Sequence, residues 1–244
     1  MHPFPPVSDF LPDLASLDRD RREAMLAAAG EIRECYRVLV KGGLNVVGEV
    51  LRGHDFIEMN HYPADDVYDA DSGAQYYYHA HRGIENEHGH FHTFVRAAGL
   101  PPGIAPLHVP HASEARPVGD EAICHLVAVS MDAWGYPTGL FTTNRWVTDE
   151  SWFRAADAIA TLPRFVIDHA FPSWPTNRWI GALLVLYGPF IEGLLRHRDA
   201  CMDAAQAARP GVDVYEDRAI EVIGALPVAV DDLVAELERS LAAG

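Results

Sequence analysis

The chain has 244 residues, 49% of them hydrophobic, which is enough apolar material to bury a core and argues against a disordered chain. Its 19 basic and 35 acidic residues give a formal net charge of -16, which would repel a phosphate backbone and argues against a nucleic-acid-binding protein. The three cysteines, Cys35, Cys124 and Cys201, are too few and too far apart for a disulfide framework or a zinc ribbon, so we interpret them as reduced, buried thiols.

The amino-terminal stretch MHPFPPVSDFLPD has no basic region followed by an apolar one, so it does not read as a secretory signal. We therefore predict an extended segment over residues 1–16 and a cytoplasmic protein. From Asp18 to about Arg52, apolar residues recur at helical spacing. This region predicts one or two amphipathic helices, with a break at Gly42 and Gly43.

A period of two replaces the helical period in the middle of the chain, interrupted by the turn-like stretches PPGIAP and WGYPTG. The pattern predicts four strands, which run from Gln75 to Arg82, Glu87 to Arg96, Ala122 to Asp132, and Gly139 to Val147. Helical patterning returns after Glu150. It predicts helices in ESWFRAADAIATL, in the run from Asn177 to Ala208, in DRAIEVIGAL and in DDLVAELERSLAAG.

The most apolar run of the chain extends from Trp179 to Leu195. It is too short for a membrane-spanning helix and contains Pro189 and Glu192, so we interpret it as buried core. No change of composition marks a linker, and the sequence has no internal repeat. The sequence thus predicts a single α+β domain over residues 1–244, with a four-stranded antiparallel sheet at about 75–147 flanked by N-terminal and C-terminal helices.

The stretch YYYHAHRGIENEHGHFH contains five of the thirteen histidines of the chain. Because side chains alternate along a strand, His79 and His81 share one face of the first predicted strand, and His88, His90 and His92 share one face of the second. If Arg82 to Glu87 form the hairpin loop, His81 faces His88, His79 faces His90, and Tyr77 faces His92. All five imidazoles then lie on one face of the sheet, at a spacing from which two can bind one ion.

This cluster predicts a metal site whose ligands come from His79, His81, His88, His90 and His92. Neutral imidazole suits iron, zinc and copper, and the absence of nearby cysteines argues against a structural thiolate site. Glu85 or Glu87 of the loop could add a carboxylate ligand, and Glu87 is also a candidate catalytic group. A metal-free histidine site for acid-base chemistry and a purely structural histidine face are the alternatives.

Other candidates lie outside the hairpin. Glu58 and His61 have the Glu-x-x-His spacing of helical di-iron sites, which makes His61 a further candidate ligand. Arg145, beside Trp146 on the last predicted strand, is a candidate for binding a substrate carboxylate. For three remaining histidines the default interpretation is no site role. We interpret His108 and His111 as solvent-exposed, with a lid or a ligand loop as the alternative, and His125 as a residue at the edge of the core.

The segments YYYHAHR, EHGHFHTF and MDAWGYPTGLFTTNRWVT together resemble the signature of an uncharacterised bacterial family, a domain of unknown function that spans most of such chains. This resemblance implies no particular chemistry. The triplet His88, Gly89 and His90 is also similar to the zinc-binding motif of the pterin synthase family. That similarity covers three residues only, and we transfer no activity from it.

From these patterns we expect a metal-dependent enzyme that acts on a small molecule, with an iron oxygenase and a zinc hydrolase left unresolved. The alternative is a non-catalytic metal-binding protein, such as a sensor, carrier or store. We expect a small-molecule substrate and no nucleic-acid or membrane partner, and we leave open whether the chain forms a homo-oligomer.

Overall fold

The structure is a computed structural model and describes residues 4–109 and 111–243. Six strands and seven α-helices make up the described chain. In chain order they are α1 (Arg19–Lys41), α2 (Val46–Leu51), β1 (Tyr62–Tyr68), β2 (Ala74–His79), β3 (Gly89–Arg96), β4 (Ile123–Met131), β5 (Pro137–Thr143), α3 (Arg145–Thr148), α4 (Ala155–Thr161), α5 (Trp174–Leu186), α6 (Gly188–Ala208), β6 (Val222–Pro227) and α7 (Val230–Ala243). The fold is α+β, as predicted.

All six strands form one antiparallel sheet in which spatial order follows chain order, from β1 to β6. The four predicted strands correspond to β2, β3, β4 and β5, so the prediction of a four-stranded sheet is wrong by one strand at each edge. The segment DRAIEVIGAL, predicted as helix, contains all of β6 except its last residue, and β6 pairs with β5 through Phe141 and Ala225. Pairing with β5 overrides a local pattern that is compatible with either structure.

Helix ends follow local capping chemistry. The carboxylate of Asp18 accepts a hydrogen bond from the backbone N–H of Arg21 and begins α1. Beyond Lys41, Gly43 takes a φ of +71°, a left-handed conformation that glycine adopts without a steric penalty. Two helices therefore occupy the predicted region, separated at the predicted glycines.

The apolar run from Trp179 to Leu195 forms parts of α5 and α6, and most of its side chains are buried. Within the described chain, a single helix is nowhere both long and apolar enough to cross a membrane. Only α5 and α6 taken together meet that criterion, and they bend by 69° at the break between them.

The amino-terminal region departs from the predicted extended segment. Two short 3₁₀ helices, Val7–Phe10 and Leu14–Ser16, interrupt it, while the first three of its predicted residues 1–16 lie outside the described chain. It packs against α6, where the carbonyl oxygen of Pro5 lies 2.8 Å from His197 Nε2. The segment is therefore part of the folded unit.

The two faces of the sheet have different environments. One face contributes Tyr76, Tyr78 and Phe91 to the hydrophobic core, and the ring of Phe91 lies 5.9 Å from that of Trp179 in α5. The opposite face carries the aromatic and imidazole rings listed next: Tyr77, His79, His90, His92, Phe94 and Phe141. The histidines thus lie on the face opposite the one that packs against α5.

Candidate metal centre

The β2–β3 hairpin places the candidate ligands at paired positions. His79 pairs with His90, and Tyr77 with His92, which confirms the predicted register. The ring centroids of His79, His90 and His92 are separated by 4.5 to 5.2 Å. One nitrogen of each ring lies within 4.8 Å of the other two, so the three side chains could hold one metal ion.

The free nitrogen atoms of these rings fit such a role. Among the described residues, His79 Nε2 and His92 Nε2 are buried and have no hydrogen-bond partner. His90 Nδ1 lies 3.0 Å from Glu87 Oε1, which leaves Nε2 as the unused nitrogen of His90. A buried polar atom without a partner costs free energy, and a bound metal ion would offset that cost.

Burial keeps the imidazoles neutral. It lowers the pKa of His79 to about 2, and the charges of His90 and His81 act in the same direction. The pKa of His92 is held well below its usual value by burial and by His125. Burial also lowers the pKa of His90, although its bond to Glu87 opposes the shift. Neutral imidazole is the form that binds metal, so the ligands are in the required state at neutral pH.

Glu87 supports the site from the hairpin loop. Burial acts to raise the pKa of this carboxyl, but hydrogen bonds from His90 and Ser130 outweigh it and hold the pKa below its usual value. Arg82 donates a further hydrogen bond of 3.3 Å to Glu87 Oε2. Glu87 is therefore an ionised partner of a candidate ligand, the carboxylate–histidine arrangement that orients metal-binding histidines in many sites.

A β-bulge adds a residue that the alternation of the sequence did not predict. Thr93 pairs with Val127 but Phe94 pairs with His125, so Leu126 is the extra residue in β4. This shift moves His125 to the face that carries the candidate ligands, where its Nε2 lies 3.0 Å from His92 Nδ1. The interpretation of His125 as a residue at the edge of the core is wrong, because the bulge reverses the facing of β4 at that point.

Glu150 extends this chain of contacts. Its Oε2 accepts a hydrogen bond of 2.9 Å from the backbone N–H of His125, and its Oε1 lies 3.8 Å from His125 Nδ1. The carboxyl is 1% exposed, and burial raises its pKa to about 8 against the opposing charge of Arg198. No sequence signal distinguishes Glu150 from other acidic loop residues.

Two further histidines lie at the rim. The ring of His81 is 4.7 Å from that of His79 and 5.1 Å from that of His90, and it is partly exposed. The ring of His61 stacks on Tyr77 at 3.6 Å, with an interplanar angle of 9°, and lies 5.6 Å from the ring of His79. Both predicted ligands are therefore neighbours of the three-histidine group rather than members of it.

A strained aspartate orients His61. His61 Nδ1 lies 3.0 Å from Asp66 Oδ1, and Gln75 donates a hydrogen bond of 2.6 Å to Asp66 Oδ2. Asp66 has a φ of +55° and lies in the register shift of β1. Bulges beside functional sites commonly redirect a side chain, and here the bulge turns Asp66 toward His61.

His88 does not share the face of the other four hairpin histidines. It precedes β3, and its Nδ1 lies 2.7 Å from the hydroxyl oxygen of Tyr78, whose side chain faces the core. Its ring also contacts Phe56. The prediction that all five imidazoles lie on one face is wrong because the chain leaves the extended conformation before His88.

The remaining candidates lie elsewhere. Arg145 begins α3 instead of continuing a strand, and its guanidinium is buried and bonded to Asp213 and Glu216 at 3.1 and 2.9 Å. The N–H donors of Arg145 were predicted to bind a substrate carboxylate, but here they bind carboxylates of the same chain. Glu58 is exposed in a turn, so the helical Glu-x-x-His interpretation is wrong, and two more histidines are exposed: His108 and His111.

A cleft of about 350 Å³ lies between the β2–β3 hairpin loop and residues of β4, β5 and β6. Its wall includes Arg82 and Glu87 from the hairpin loop, and Ser130 and Thr138 from the neighbouring strands. Glu87 therefore contacts a candidate ligand with one carboxylate oxygen and borders the open cleft.

Residues 26–228 match the sequence profile of a family described as Domain of unknown function (DUF6969). The resemblance to an uncharacterised family that the histidine signature predicted is thereby confirmed. No curated protein matches the chain, and no solved structure matches it either.

Proposed function

The chain belongs to the DUF6969 family, whose description assigns no activity, and we propose that it is a metal-dependent enzyme acting on a small molecule. The observation that supports this proposal is the convergence of three buried imidazoles, two of them with an unpaired Nε2 atom. Three protein ligands are typical of catalytic metal sites, which keep one coordination position for water or substrate, whereas structural zinc sites commonly have four.

Zinc is the metal that we expect first. Within residues 4–109 and 111–243, the group of convergent ligand atoms contains imidazoles and no carboxylate. Three histidines are a known donor set of catalytic zinc, whereas many non-heme iron(II) enzymes use two histidines and one carboxylate. We therefore favour hydrolysis or hydration of the substrate, and oxygenation by bound iron is the alternative that metal analysis tests.

The metal ion and the side chains of the protein would have different roles in catalysis. A bound metal ion supplies a Lewis acid that polarises a substrate oxygen or lowers the pKa of water. Glu87 holds the proton of His90 on Nδ1 and so fixes its tautomer. His61, with Nδ1 held by Asp66, keeps Nε2 available to exchange a proton with a molecule entering from the rim.

Elemental analysis of the purified protein tests the metal. We expect about one zinc ion per chain, loss of that ion in His90→Ala, and retention in His88→Ala. His88 is the matched control because it belongs to the same hairpin but contacts the opposite face. Far-UV circular dichroism of each variant separates loss of a ligand from loss of the fold.

Azide added to the cobalt-substituted protein tests the open position. A change in the visible spectrum is expected, because a catalytic site admits an external ligand. Failure to take up zinc, iron or copper after reconstitution would contradict the proposal. A site with four protein ligands, His81 being the fourth, and no response to azide would instead indicate a structural or carrier role.

A further inference from the structure

His92 has different surroundings at its two ring nitrogens. Nε2 is the buried, unpaired atom of the candidate metal centre, and Nδ1 lies 3.0 Å from His125 Nε2. If Nε2 binds the metal, the ring proton must be on Nδ1, because a neutral imidazole carries one proton. That proton is then donated to His125 Nε2.

The same reasoning fixes the tautomer of His125. Because its Nε2 accepts the proton of His92, a neutral His125 carries its own proton on Nδ1. The atom that faces this nitrogen is Glu150 Oε1 at 3.8 Å, longer than a hydrogen bond. Within the described structure, Glu150 Oε1 has no hydrogen-bond partner, although the residue is 1% exposed.

We propose that Glu150 is a positioning residue of the metal centre, which acts through His125 to hold His92 in the tautomer and orientation that bind metal. The inference rests on the proposed metal site. Glu87 has the corresponding role toward His90 by direct contact. Two of the three candidate ligands therefore each have a carboxyl group behind them. Glu87 is in direct contact with His90, and Glu150 is separated from His92 by His125.

A structural role for Glu150 makes a different prediction. Its Oε2 accepts the backbone N–H of His125 at 2.9 Å, a bond that joins the loop before α4 to β4. The amide oxygen of a glutamine could accept the same bond with nearly the same shape. Glu150→Gln thus keeps the structural contact and removes the ionisable carboxyl, which the proposal requires in its ionised form.

The test compares zinc affinity, measured by competition with a chelator at pH 9, above the raised pKa of Glu150, in the wild type, Glu150→Gln and Glu49→Gln. Glu49 is the matched control, since it is a buried glutamate of α2, on the core side of the sheet, and pairs with Arg52. We expect Glu150→Gln to weaken zinc binding by about 10- to 100-fold, the usual effect of removing such a partner, and Glu49→Gln to leave it unchanged.

Long-range nitrogen–proton NMR of the histidine rings in the zinc-loaded wild type provides a second measurement that needs no variant. We expect His92 and His125 to carry their protons on Nδ1. Protonation of His125 on Nε2 would overturn the inference, as would a Glu150→Gln affinity within twofold of the wild type. If the wild-type protein takes up no zinc, both the proposed function and this inference are overturned. If the wild-type protein takes up zinc and Glu150→Gln binds it equally well, this inference alone is overturned.

Discussion

At the scale of single residues, buried histidines couple the stability of the metal-free protein to pH. The pKa is lowered mainly by burial, to about 2 for His79 and about 3 for His125, in five histidines: His79, His88, His90, His92 and His125. In the unfolded chain their pKa is about 6.5. Below that pH the unfolded state binds more protons than the folded state, so stability falls as pH falls.

We therefore expect the free energy of unfolding of metal-free protein to decrease between pH 7.5 and 5.5. Each histidine contributes up to about 1.4 kcal/mol per pH unit. Glu150 opposes this, because its raised pKa of about 8 favours the folded state at low pH. It contributes at most one proton, whereas the histidines together contribute up to five as the pH falls below 6.5. Urea denaturation at several pH values measures the slope, which His125→Gln should reduce. A flat profile would contradict the expectation.

The sequence predicted the residues of the centre where strands are regular. His79, His90 and His92 follow from alternation and from a hairpin loop of the right length. His125 could not be predicted in the same way, because one extra residue in β4 changes which face it occupies. His88 was predicted on the same face as the other hairpin histidines and does not lie there. The prediction extended the strand alternation to His88, whereas β3 begins only at Gly89.

At the scale of elements, the β2–β3 hairpin depends on a glycine. A Cβ atom on Gly89 would lie 2.6 Å from the carbonyl oxygen of His79 and 2.6 Å from the hydroxyl of Tyr78. Both atoms belong to the strand that Gly89 must approach closely. A side chain there would force β3 away from β2 beside the His79 and His90 pair.

Gly89→Ala is expected to destabilise the protein by about 1–3 kcal/mol and to weaken metal binding, because overpacking displaces the paired strand. Gly30 of α1 is the control, since it is exposed and a Cβ there would meet no atom within 4 Å. Gly30→Ala should stabilise the helix by about 0.5–1 kcal/mol. Chemical denaturation and a zinc titration measure both effects, and wild-type behaviour of Gly89→Ala would refute this account of the hairpin.

The sheet edges could not be predicted from local pattern. The sequence of β1, YPADDVY, is polar, and the strand contains a register shift. It therefore lacks the alternation of apolar and polar residues that identified β2 to β5. β6 is a short apolar run that fits helix or strand equally well, and its conformation is decided by pairing with β5. Helices with caps and long apolar faces, such as α1, were predicted from their residues alone.

At the scale of the whole molecule, the hydrophobic core and the candidate metal centre lie on opposite faces of one sheet. The core is formed against the helices by residues such as Tyr76, Phe91 and Trp179, none of which contributes a ligand. The fold therefore has a source of stability that does not depend on the metal. This arrangement contrasts with that of small zinc domains, which unfold when the ion is removed.

We expect a chelator to lower the melting temperature but to leave the far-UV circular dichroism at 25 °C unchanged. A ligand that binds only the folded state adds about 2.7 kcal/mol when its concentration is 100 times the dissociation constant. For a chain of this size, that corresponds to a shift of roughly 5–10 °C. Thermal melts with zinc and with chelator provide the measurement. Loss of helical signal on chelation alone would show instead that the metal holds the fold together.

The three candidate ligands span only 14 residues, from His79 to His92, and all belong to one hairpin. This closeness has a consequence for biosynthesis. Hairpins form within microseconds, far faster than a ribosome adds one residue, so the ligands can meet as soon as β3 has emerged. Glu150 and its contact to His125 come later in the chain. If the proposed site binds a metal, capture of the ion and completion of its buried surroundings are thus separable in time. The nascent hairpin would then be available to the metal pool of the cell before the second half of the protein exists.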